Sequence, residues 1–369
     1  MPTNPYKADT LPLKHLNWIE YITSLGQAHD NIAKFDGLLQ GIPNPKVLLS
    51  PLTTQEAVLS SKIEGTQATL EEVLSYEADP SVSTKDNENQ KYNDIKEILN
   101  YRKAIVFAMK KLQEIPLSVS LLKNIHQILL TGVRSQTTKL GEFRDWQVYI
   151  GKDGTTIEEA KFIPPTAKDV PDLMSNLEKY IHNKEKDPIV QLAIIHAQFE
   201  IIHPFGDGNG RVGRMILPLF LFYKGILSTP MFYLSAYFEK NREIYYSKLA
   251  NITKNNDWDS WILFFLKAVK EQSEINIEKA RAIKKLHDDK KTEIREITKS
   301  QYSTEILDYI FSYPFFNTIQ FIDKTKINSH TSKDLLKKLV DSKILFVTKK
   351  GSGRNPSIYV FPQLLEITK

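Results

Sequence analysis

A long apolar segment that runs into a glycine-rich loop is the feature that most constrains this chain. Residues 189–202 predict a strongly apolar helix, and His203 stands at its end. Glycine then fills three of the positions 206–210, which predicts a loop. A second helix is predicted to begin near Gly210, with Arg211 and Arg214 one turn apart. The chain is therefore expected to bring a histidine, a flexible loop and a helix N-terminus together.

Each residue type in this loop suits a polyphosphate. Glycines let the backbone approach a ligand closely, and a helix N-terminus offers unpaired N–H groups and the positive end of the helix dipole. Arg211 and Arg214 add charge and paired donors for phosphate oxygens. Asp207 supplies the carboxylate that Mg²⁺ takes beside phosphates and water. His203 lies next to this cradle, where it can remove the proton of an incoming hydroxyl group.

Other motifs that share parts of this pattern fail on detail. Gly208, Gly210 and Gly213 match a dinucleotide-binding fingerprint, but a long helix-like segment precedes them instead of a short strand. The loop opens like a calcium loop, but Arg211 and Pro218 stand where ligands belong. The chain has no Walker, HExxH or GxSxG motif. A glycine-rich loop with two surface arginines is the remaining structural alternative.

Apolar residues recur at helical spacing along most of the chain, which predicts a mainly α fold. The predicted helices cover 14–40, 54–76, 91–113, 118–131, 168–182, 188–202, 211–224, 242–254 and 257–273. Residues 78–89 are polar and predict a loop. Residues 146–163 predict a β-hairpin, because alternating apolar positions flank a turn at 151–154.

The last part of the chain predicts a small separate module, a winged helix. A charged helix over 274–299 connects to it. Three short helices are predicted over 302–312, 317–324 and 331–342. A hairpin with strands at 344–348 and 358–361 follows them. Residues 301–369 hold ten basic and six acidic side chains, so a contact with DNA is expected here if anywhere. The candidate phosphate contacts are Lys333, Lys337, Lys338, Lys349, Lys350 and Arg354; a protein-docking or dimer-packing module is the alternative.

Composition narrows the class of protein. The chain has no cysteine, which excludes disulfides, thiolate metal sites and a cysteine nucleophile. A formal charge of +5 over 369 residues does not mark the whole chain as a nucleic-acid binder. The polar N-terminus lacks the apolar stretch of a signal peptide, and apolar runs such as 215–223 are too short to span a bilayer. A cytoplasmic protein without a membrane contact is expected. Of the eight histidines only His203 is assigned chemistry, and His196 is interpreted as a packing or hydrogen-bonding residue.

The glycine-rich loop resembles the signature of the Fic family, H-x-F-x-[DE]-G-N-G-R-x-x-R, at every defined position from His203 to Arg214. Similarity continues in 141–165, which resemble the family's flap region, and in 196–200 and 241–246 on either side of the motif. The resemblance covers about residues 10–273, and a winged-helix tail is common in this subgroup.

The resemblance implies a protein adenylyltransferase, which moves AMP from ATP to a Ser, Thr or Tyr hydroxyl group of a target protein. His203 would be the general base, and Asp207 would hold Mg²⁺ on the α- and β-phosphates. Arg211 and Arg214 would hold the β- and γ-phosphates. A target segment would add as a strand to the hairpin at 147–163. The implied ATP-binding residues are Gly208, Asn209 and Gly210 as the anion hole, Arg211, Val212, Gly213 and Arg214 along the helix, and Asn241, Tyr245 and Tyr246 at the adenine end.

A second segment, on the helix predicted over 54–76, resembles the family's inhibitory motif [ST]-x-x-x-E-[GN], with Ser60, Glu64 and Gly65 at its defined positions. The resemblance implies that Glu64 pairs with Arg214. Arg214 would then be unavailable to the γ-phosphate, and ATP would bind in a pose that does not align the α-phosphate. A solvated helix carboxylate or an N-cap partner is the structural alternative for Glu64.

Two further functions stay open at this point. The same site would support hydrolytic removal of AMP with Glu64 positioning a water, or the core would sense nucleotide in a DNA-binding regulator. The expected architecture is a mainly α Fic-type helical core with a β-hairpin flap and a small C-terminal winged-helix domain. A homodimer is expected from the family. The expected domains are an N-terminal helical region 1–110, a catalytic core 111–273, a linker helix 274–300 and a winged-helix-like domain 301–369.

Overall fold

The fold is mainly helical, with one small sheet, as the sequence predicts. A computed structural model describes residues 4–42, 44–79, 90–133, 139–151, 156–353 and 355–368. In these ranges no helix combines the length and the apolar character that a membrane span requires.

Within the described residues the helices follow one another in chain order. They are α1 (Trp18–Gln40), α2 (Pro45–Leu48), α3 (Ser50–Ile63), α4 (Leu70–Ala78), α5 (Gln90–Lys111), α6 (Val119–Leu130), α7 (Val170–His182), α8 (Pro188–Ile202), α9 (Asn209–Tyr223), α10 (Ser235–Lys240), α11 (Arg242–Asn255), α12 (Trp258–Thr298), α13 (Ser303–Ser312), α14 (Thr318–Thr325), α15 (Ser329–Asp341) and α16 (Pro362–Thr368). The strands are β1 (Phe315–Asn317), β2 (Phe346–Lys349) and β3 (Ile358–Val360). The predictions for α5 to α9 and for α11 are confirmed to within two residues at each end.

One compact unit comprises residues up to 36, 59–65 and 99–274, and α8 forms its centre. Asp187 caps this helix by accepting hydrogen bonds from the N–H groups of Ile189 and Val190, at 2.8 and 3.1 Å. The side chains of α8 are buried almost throughout, because α7 and α9 pack against it. Trp261 of α12 donates its indole N–H to the carbonyl oxygen of Ala193 at 2.8 Å. This packing holds the end of α8 directly beside the start of α9.

The second compact unit comprises residues 37–58, 66–98 and 275 onward, and it contains the sheet. The strand order is β1-β3-β2 with antiparallel pairing throughout. Tyr309, Phe316 and Phe321 form its aromatic core, with ring centroids 5.0 to 5.8 Å apart. The three short helices and the hairpin of the tail occur where the sequence predicts them. The winged-helix classification and the four domain ranges stay predictions.

The helix predicted over 54–76 is wrong, because the structure has two helices there. α3 ends at Ile63 and α4 begins at Leu70. Gly65 follows α3 with φ of +102°, a conformation that favours glycine and stops a helix. Thr69 then starts α4 with a capping box: its hydroxyl accepts from the Glu72 N–H at 3.3 Å, and the Glu72 carboxylate accepts from the Thr69 N–H at 3.0 Å. Local capping therefore outweighs apolar periodicity.

The break predicted between 257–273 and 274–299 is also wrong. α12 runs unbroken from Trp258 to Thr298. Its charged half still buries one face, since Ile277, Ala280 and Ile283 are at most 7% exposed. A helix with one apolar face and no glycine or proline has no reason to stop.

The predicted hairpin over 146–163 is reduced, in its described residues, to one antiparallel bridge between Ile150 and Phe162. The Ile150 N–H donates to Phe162 O and the Lys161 N–H donates to Ile150 O, each at 2.8 Å. The next residue of the returning arm, Ile163, accepts from the N–H of Tyr6 at 2.9 Å. Residues 152–155, which include most of the predicted turn, and 80–89 of the predicted loop lie outside the described residues.

Candidate active site

His203 lies at the junction between α8 and α9. Its backbone is left-handed, with φ of 50°, and its N–H donates to Phe199 O at 3.0 Å, so the helix ends here. The partly exposed imidazole donates from Nδ1 to the Glu200 carbonyl oxygen at 3.3 Å, which leaves Nε2 as the unprotonated nitrogen. Desolvation lowers the pKa of His203 to about 4. The ring is therefore neutral at pH 7 and has a lone pair to accept a proton.

The loop between the two helices is closed by its own side chains. Asn209 accepts from the Phe205 N–H through Oδ1 and donates to Phe205 O through Nδ2, both at 2.9 Å. Gly208 turns the chain into α9 with φ of +77°, a conformation that glycine adopts without strain. The N–H groups in the first turn of α9 lack acceptors within the helix, which makes this end a site for an anion.

Arg144 holds the same loop from the segment before the predicted hairpin, and the sequence interpretation gave it no individual role. The residue as a whole is 2% exposed, and its guanidinium donates hydrogen bonds to four backbone carbonyl oxygens. These oxygens belong to Trp146 at 3.1 Å, Pro165 at 2.6 Å, Ile202 at 3.3 Å and His203 at 2.8 Å. Its own N–H donates to Pro204 O at 2.9 Å. The only sequence signal was that 141–144 lie in the segment that resembles the family's flap.

Glu64 and Arg214 are in direct contact, as predicted. Arg214 Nη2 donates to Glu64 Oε1 at 2.5 Å. Ser60 completes the set, because its hydroxyl accepts from Arg214 Nε and its carbonyl oxygen from Nη2, both at 2.8 Å. Burial alone would lower the pKa of Arg214, but the Glu64 carboxylate raises it above the ordinary value. The guanidinium is therefore charged, and its Nε and Nη2 atoms are bound by Ser60 and Glu64.

The Glu64 carboxylate also lies against the first turn of α9. A Cβ atom added at Gly210 would overlap Glu64 Oε1, so Glu64 occupies the space that glycine leaves open at this position. Gly210 and Asn209 are buried, as are Val212 and Gly213 in the following turn. The carboxylate of Glu64 thus lies at the start of α9, among residues that the sequence assigns to the anion cradle.

Glu200, in the last turn of α8, is a second acid near Arg214 that the sequence interpretation did not single out. Among the described residues its Oε1 atom is buried without a hydrogen-bond partner. A Cβ atom added at Gly213 would overlap this oxygen, which explains why glycine fits there. Burial raises the pKa of Glu200 to about 8, so its carboxyl group is largely protonated at pH 7.

Asp207 is the exposed acid of the loop, with a side chain that is 52% accessible. Its Oδ1 atom accepts from the Gly208 N–H at 2.5 Å and from Arg211 at 3.2 Å. The described residues contain no group of three or more metal-ligating acids and histidines. Mg²⁺ does not require such a group, since it binds through one or two carboxylates together with phosphates and water. The donor set around Asp207 therefore fits a magnesium ion that arrives with a nucleotide.

The three residues assigned to the adenine end are placed differently from one another. Tyr245 is 1% exposed and donates its hydroxyl to His196 Nε2 at 3.0 Å, so its side chain belongs to the core. Tyr246 is 44% exposed. Asn241 donates to Tyr237 O at 2.9 Å. His196 donates from Nδ1 to Gly213 O at 3.1 Å, which agrees with the packing and hydrogen-bonding role predicted for it.

Comparison with known sequence families agrees with this site. The profile described as Fic/DOC family N-terminal matches residues 22–110, and the profile of the Fic/DOC family matches residues 116–221. Together the two matches span more than half of the chain and include the whole loop from His203 to Arg214. The chain belongs to the Fic/DOC family.

Curated Fic relatives match over part of their length. A probable protein adenylyltransferase of Aquifex aeolicus is 39% identical over 99 residues, which are 27% of this chain and 28% of that protein. Protein adenylyltransferase Fic of Aedes aegypti is 34% identical over 88 residues, which are 23% of this chain and 16% of that protein. The match thus spans less than a third of the length of each of these relatives.

Solved structures of Fic proteins share the fold. A Fic family protein from Desulfovibrio desulfuricans superposes with a TM-score of 0.56 at 20% identity, over 97% of this chain and 98% of that chain. Fic-1 from C. elegans superposes with a TM-score of 0.52 at 20% identity, over 73% of this chain and 74% of that chain.

Proposed function

We propose that this Fic protein is a protein adenylyltransferase, which transfers AMP from ATP to a hydroxyl group of a target protein. The observation that carries the proposal is the assembly of one general base and one anion cradle within a single loop. His203 presents an unprotonated Nε2, and the first turn of α9 with Arg211 and Arg214 lies next to it. The names of the Aquifex aeolicus and Aedes aegypti relatives support the same activity.

The residues of the loop divide the reaction between them. His203 Nε2 takes the proton of the target hydroxyl as its oxygen attacks the α-phosphorus. A new bond forms between this oxygen and the α-phosphorus, and the bond from the α-phosphorus to the bridging oxygen of the β-phosphate breaks. Pyrophosphate leaves with that oxygen and with the electron pair of the broken bond. The His203 imidazolium keeps the proton until solvent or the product removes it.

The charge of the phosphates is balanced by fixed groups. The amides of residues 208–210 and the guanidiniums of Arg211 and Arg214 would stabilise the phosphate oxygens. Asp207 would hold Mg²⁺, which when bound neutralises charge on the α- and β-phosphates. Tyr246 and Asn241 stay the predicted contacts at the adenine end.

Glu64 would act as a brake on this reaction. Its carboxylate forms an ion pair with Arg214, the residue expected to bind the γ-phosphate, and lies against Gly210. Two negative groups in one cradle repel each other, so ATP would bind without its γ-phosphate on Arg214. Its α-phosphate would then be misaligned for attack, and transfer depends strongly on alignment.

The flap at 147–163 would bind the target segment by strand addition. The returning arm at Ile163 is already paired with Tyr6, so the edge proposed for the target is the side of the outgoing arm, near Tyr149 and Ile150, that faces away from the Ile150–Phe162 bridge. Both of these side chains are exposed, at 42% and 38%. A homodimer and a cytoplasmic location stay predictions.

A gain of mass tests the function and the brake together. The full chain, the Glu64→Gly variant and the Glu64→Gly, His203→Ala double variant are incubated with ATP and Mg²⁺, and adenylyl units on self or added protein are counted by mass spectrometry. We expect gain in the Glu64→Gly variant, little in the unmodified chain and, because the general base is lost, far less in the double variant than in Glu64→Gly. Lys62→Gly is the matched control, since it places glycine two residues away without touching Arg214. Equal or lower incorporation in folded Glu64→Gly would refute the brake, and a lack of incorporation in every protein would count against the transferase.

Removal of AMP is the second candidate, because the Glu64 carboxylate lies inside the cradle, where it can orient a water molecule. Release of free AMP from a previously modified target by the unmodified chain, but not by Glu64→Gly, would favour it.

A DNA-binding role has less support. Lys338 pairs with Asp334 at 3.2 Å and Lys349 with Asp79 at 2.6 Å, and Arg354 lies outside the described residues.

A further inference from the structure

A buried histidine on α6 contacts the catalytic loop, residues 203–208, which joins α8 to α9. His126 has no exposed surface, and the sequence interpretation gave it no role. Its Nε2 lies 3.1 Å from the Asp207 carbonyl oxygen, and its Nδ1 lies 3.0 Å from the Gly141 backbone nitrogen. Because a backbone N–H only donates, Nδ1 accepts from Gly141, and Nε2 carries the proton that it donates to Asp207. The two contacts therefore fix the tautomer of the ring.

The His126 ring also supports the loop by packing. It stacks on Phe205 with ring centroids 3.9 Å apart and planes inclined by 5°. Phe205 is itself fully buried. A Cβ atom added at Gly208 would lie 3.6 Å from His126 Cδ2 and 3.3 Å from Leu129 Cδ2. The loop from Phe205 to Gly208 thus rests directly on the face of α6 that His126 presents.

The other partner of the ring belongs to the segment that carries Arg144. Gly141 fits closely against α6, since an added Cβ atom would lie 3.1 Å from the Lys123 carbonyl oxygen. Three residues later Arg144 binds the carbonyl oxygens of His203 and Pro204. The segment 141–144 and the ring of His126 together therefore hold the loop at both of its ends, at His203 and at Asp207.

The direction of the Asp207 side chain depends on this support. The carboxylate is half exposed, and the partners described above for it are the adjacent Gly208 N–H and Arg211. A side chain with so few contacts points where its backbone directs it. We propose that His126 is a positioning residue, which holds the Asp207 backbone so that the carboxylate faces the phosphates and the cation of a bound nucleotide. The inference rests on the proposed transfer of AMP and on Asp207 as the magnesium ligand.

Three substitutions separate the contacts of the ring. His126→Gln places an amide N–H near the position of Nε2 and keeps the donor to Asp207. His126→Asn places an oxygen near the position of Nδ1 and keeps only the acceptor for Gly141. His126→Phe keeps the stack on Phe205 and loses both hydrogen bonds. His196→Asn is the matched control, because His196 is equally buried but binds the Gly213 carbonyl oxygen instead.

Two readouts are measured in the Glu64→Gly background. The first is the Mg²⁺ concentration that gives half-maximal AMP transfer at saturating ATP. The second is a ratio of ATP dissociation constants measured by calorimetry, the value in EDTA divided by the value in Mg²⁺. We expect His126→Asn and His126→Phe to raise the half-saturating Mg²⁺ concentration by about tenfold or more, the effect common for a lost partner of a metal ligand. The calorimetric ratio is expected to fall in parallel. His126→Gln is expected to stay within about threefold of the parent, and His196→Asn is expected to leave the Mg²⁺ response unchanged.

The outcomes distinguish this inference from the proposed function. If the parent transfers no AMP, the proposed function fails, and the calorimetric ratio alone decides the role of His126. If the parent is active but all three His126 variants share its Mg²⁺ response, or if His126→Gln is as impaired as His126→Asn, the positioning role is refuted. Urea unfolding of each variant confirms that the compared proteins are folded.

Discussion

The catalytic loop and the flap are built in contrasting ways. In the loop, Asn209 closes the backbone onto Phe205, and Arg144 binds the carbonyl oxygens of Ile202 and His203. The polar groups that would meet a nucleotide are thus positioned in advance, and most of them are buried. In the described residues of the flap, strand pairing consists of the single bridge between Ile150 and Phe162, and both Tyr149 and Ile150 are exposed.

This contrast matches two different physical tasks. Transfer of a nucleotidyl group needs charges and donors fixed before the substrate arrives, because reorganising them during the reaction costs free energy. Binding of an extended target needs the opposite, a strand whose edge can pair with another strand. We therefore expect substitutions in the loop to change rate and stability strongly, and substitutions in the flap to change mainly the use of protein targets.

The largest effect is expected at the base. His203→Ala in the Glu64→Gly background should lower the rate of AMP transfer by about 10²–10⁴-fold, the range typical for a general base. ATP affinity should change little, because the imidazole serves the incoming hydroxyl and not the phosphates. Single-turnover rates and calorimetric binding check the two parts. Transfer within about threefold of the parent would remove His203 from this role.

A smaller effect is expected where Arg144 holds the loop. Arg144→Lys keeps the charge but loses the planar fork that serves four carbonyl oxygens. We expect the free energy of unfolding to fall by about 2–3 kcal/mol, the loss common when buried partners of a charged donor are left unpaired. Urea unfolding measures it. Arg295→Lys, at an exposed position of α12, is the control, and an equally small change in both variants would contradict the account.

The buried His196, which binds the Gly213 carbonyl oxygen, should make the free energy of unfolding depend on pH. Burial lowers the pKa of His196 to about 3. In the unfolded chain the imidazole of His196 binds a proton below about pH 6.5, whereas in the folded chain it stays neutral until the pH is near 3. The free energy of unfolding is therefore unaffected by this residue above pH 6.5 and falls as the pH falls below 6.5. Between pH 6.5 and pH 5 this residue should cost about 2 kcal/mol of unfolding free energy. The difference between the unfolding free energies at these two pH values should shrink in His196→Asn, and an unchanged difference would contradict the assignment.

The smallest effect on stability is expected in the flap. Ile150→Pro removes the N–H that donates to Phe162 O, and the bond is partly exposed, so the free energy of unfolding should fall by at most about 1 kcal/mol. ATP affinity should stay within about twofold of the parent. Modification of protein substrate should fall more than ATP affinity does. Ile150→Ala, which keeps the N–H, is the control. A loss of ATP affinity in Ile150→Pro alone would break the distinction between loop and flap.

The sequence predicts the contact between Glu64 and Arg214 better than it predicts the ends of some helices. The bounds of α8 are predicted because Asp187 and Pro188 start it, and the contact between Glu64 and Arg214 is predicted from the resemblance. The break after Ile63 is missed, because a left-handed Gly65 has no effect on apolar spacing.

Elements of a few residues carry too little periodicity to be detected, which is why α2, α10, α16 and β1 are absent from the predictions. The roles of Arg144, His126 and Glu200 depend on partners that are distant in the sequence or on burial in the folded protein. A lone histidine among apolar residues of a helix, such as His126, gives no signal of the carbonyl group that it will bind.

A crystal structure of the Glu64→Gly variant with Mg²⁺ and a non-hydrolysable ATP analogue would show whether the nucleotide binds where the proposed transfer requires it. We expect the phosphates to lie against the first turn of α9, with Arg211 and Arg214 on their oxygens and with His203 Nε2 facing the α-phosphorus. Phosphates bound elsewhere, or an imidazole turned away from the α-phosphorus, would contradict this expectation.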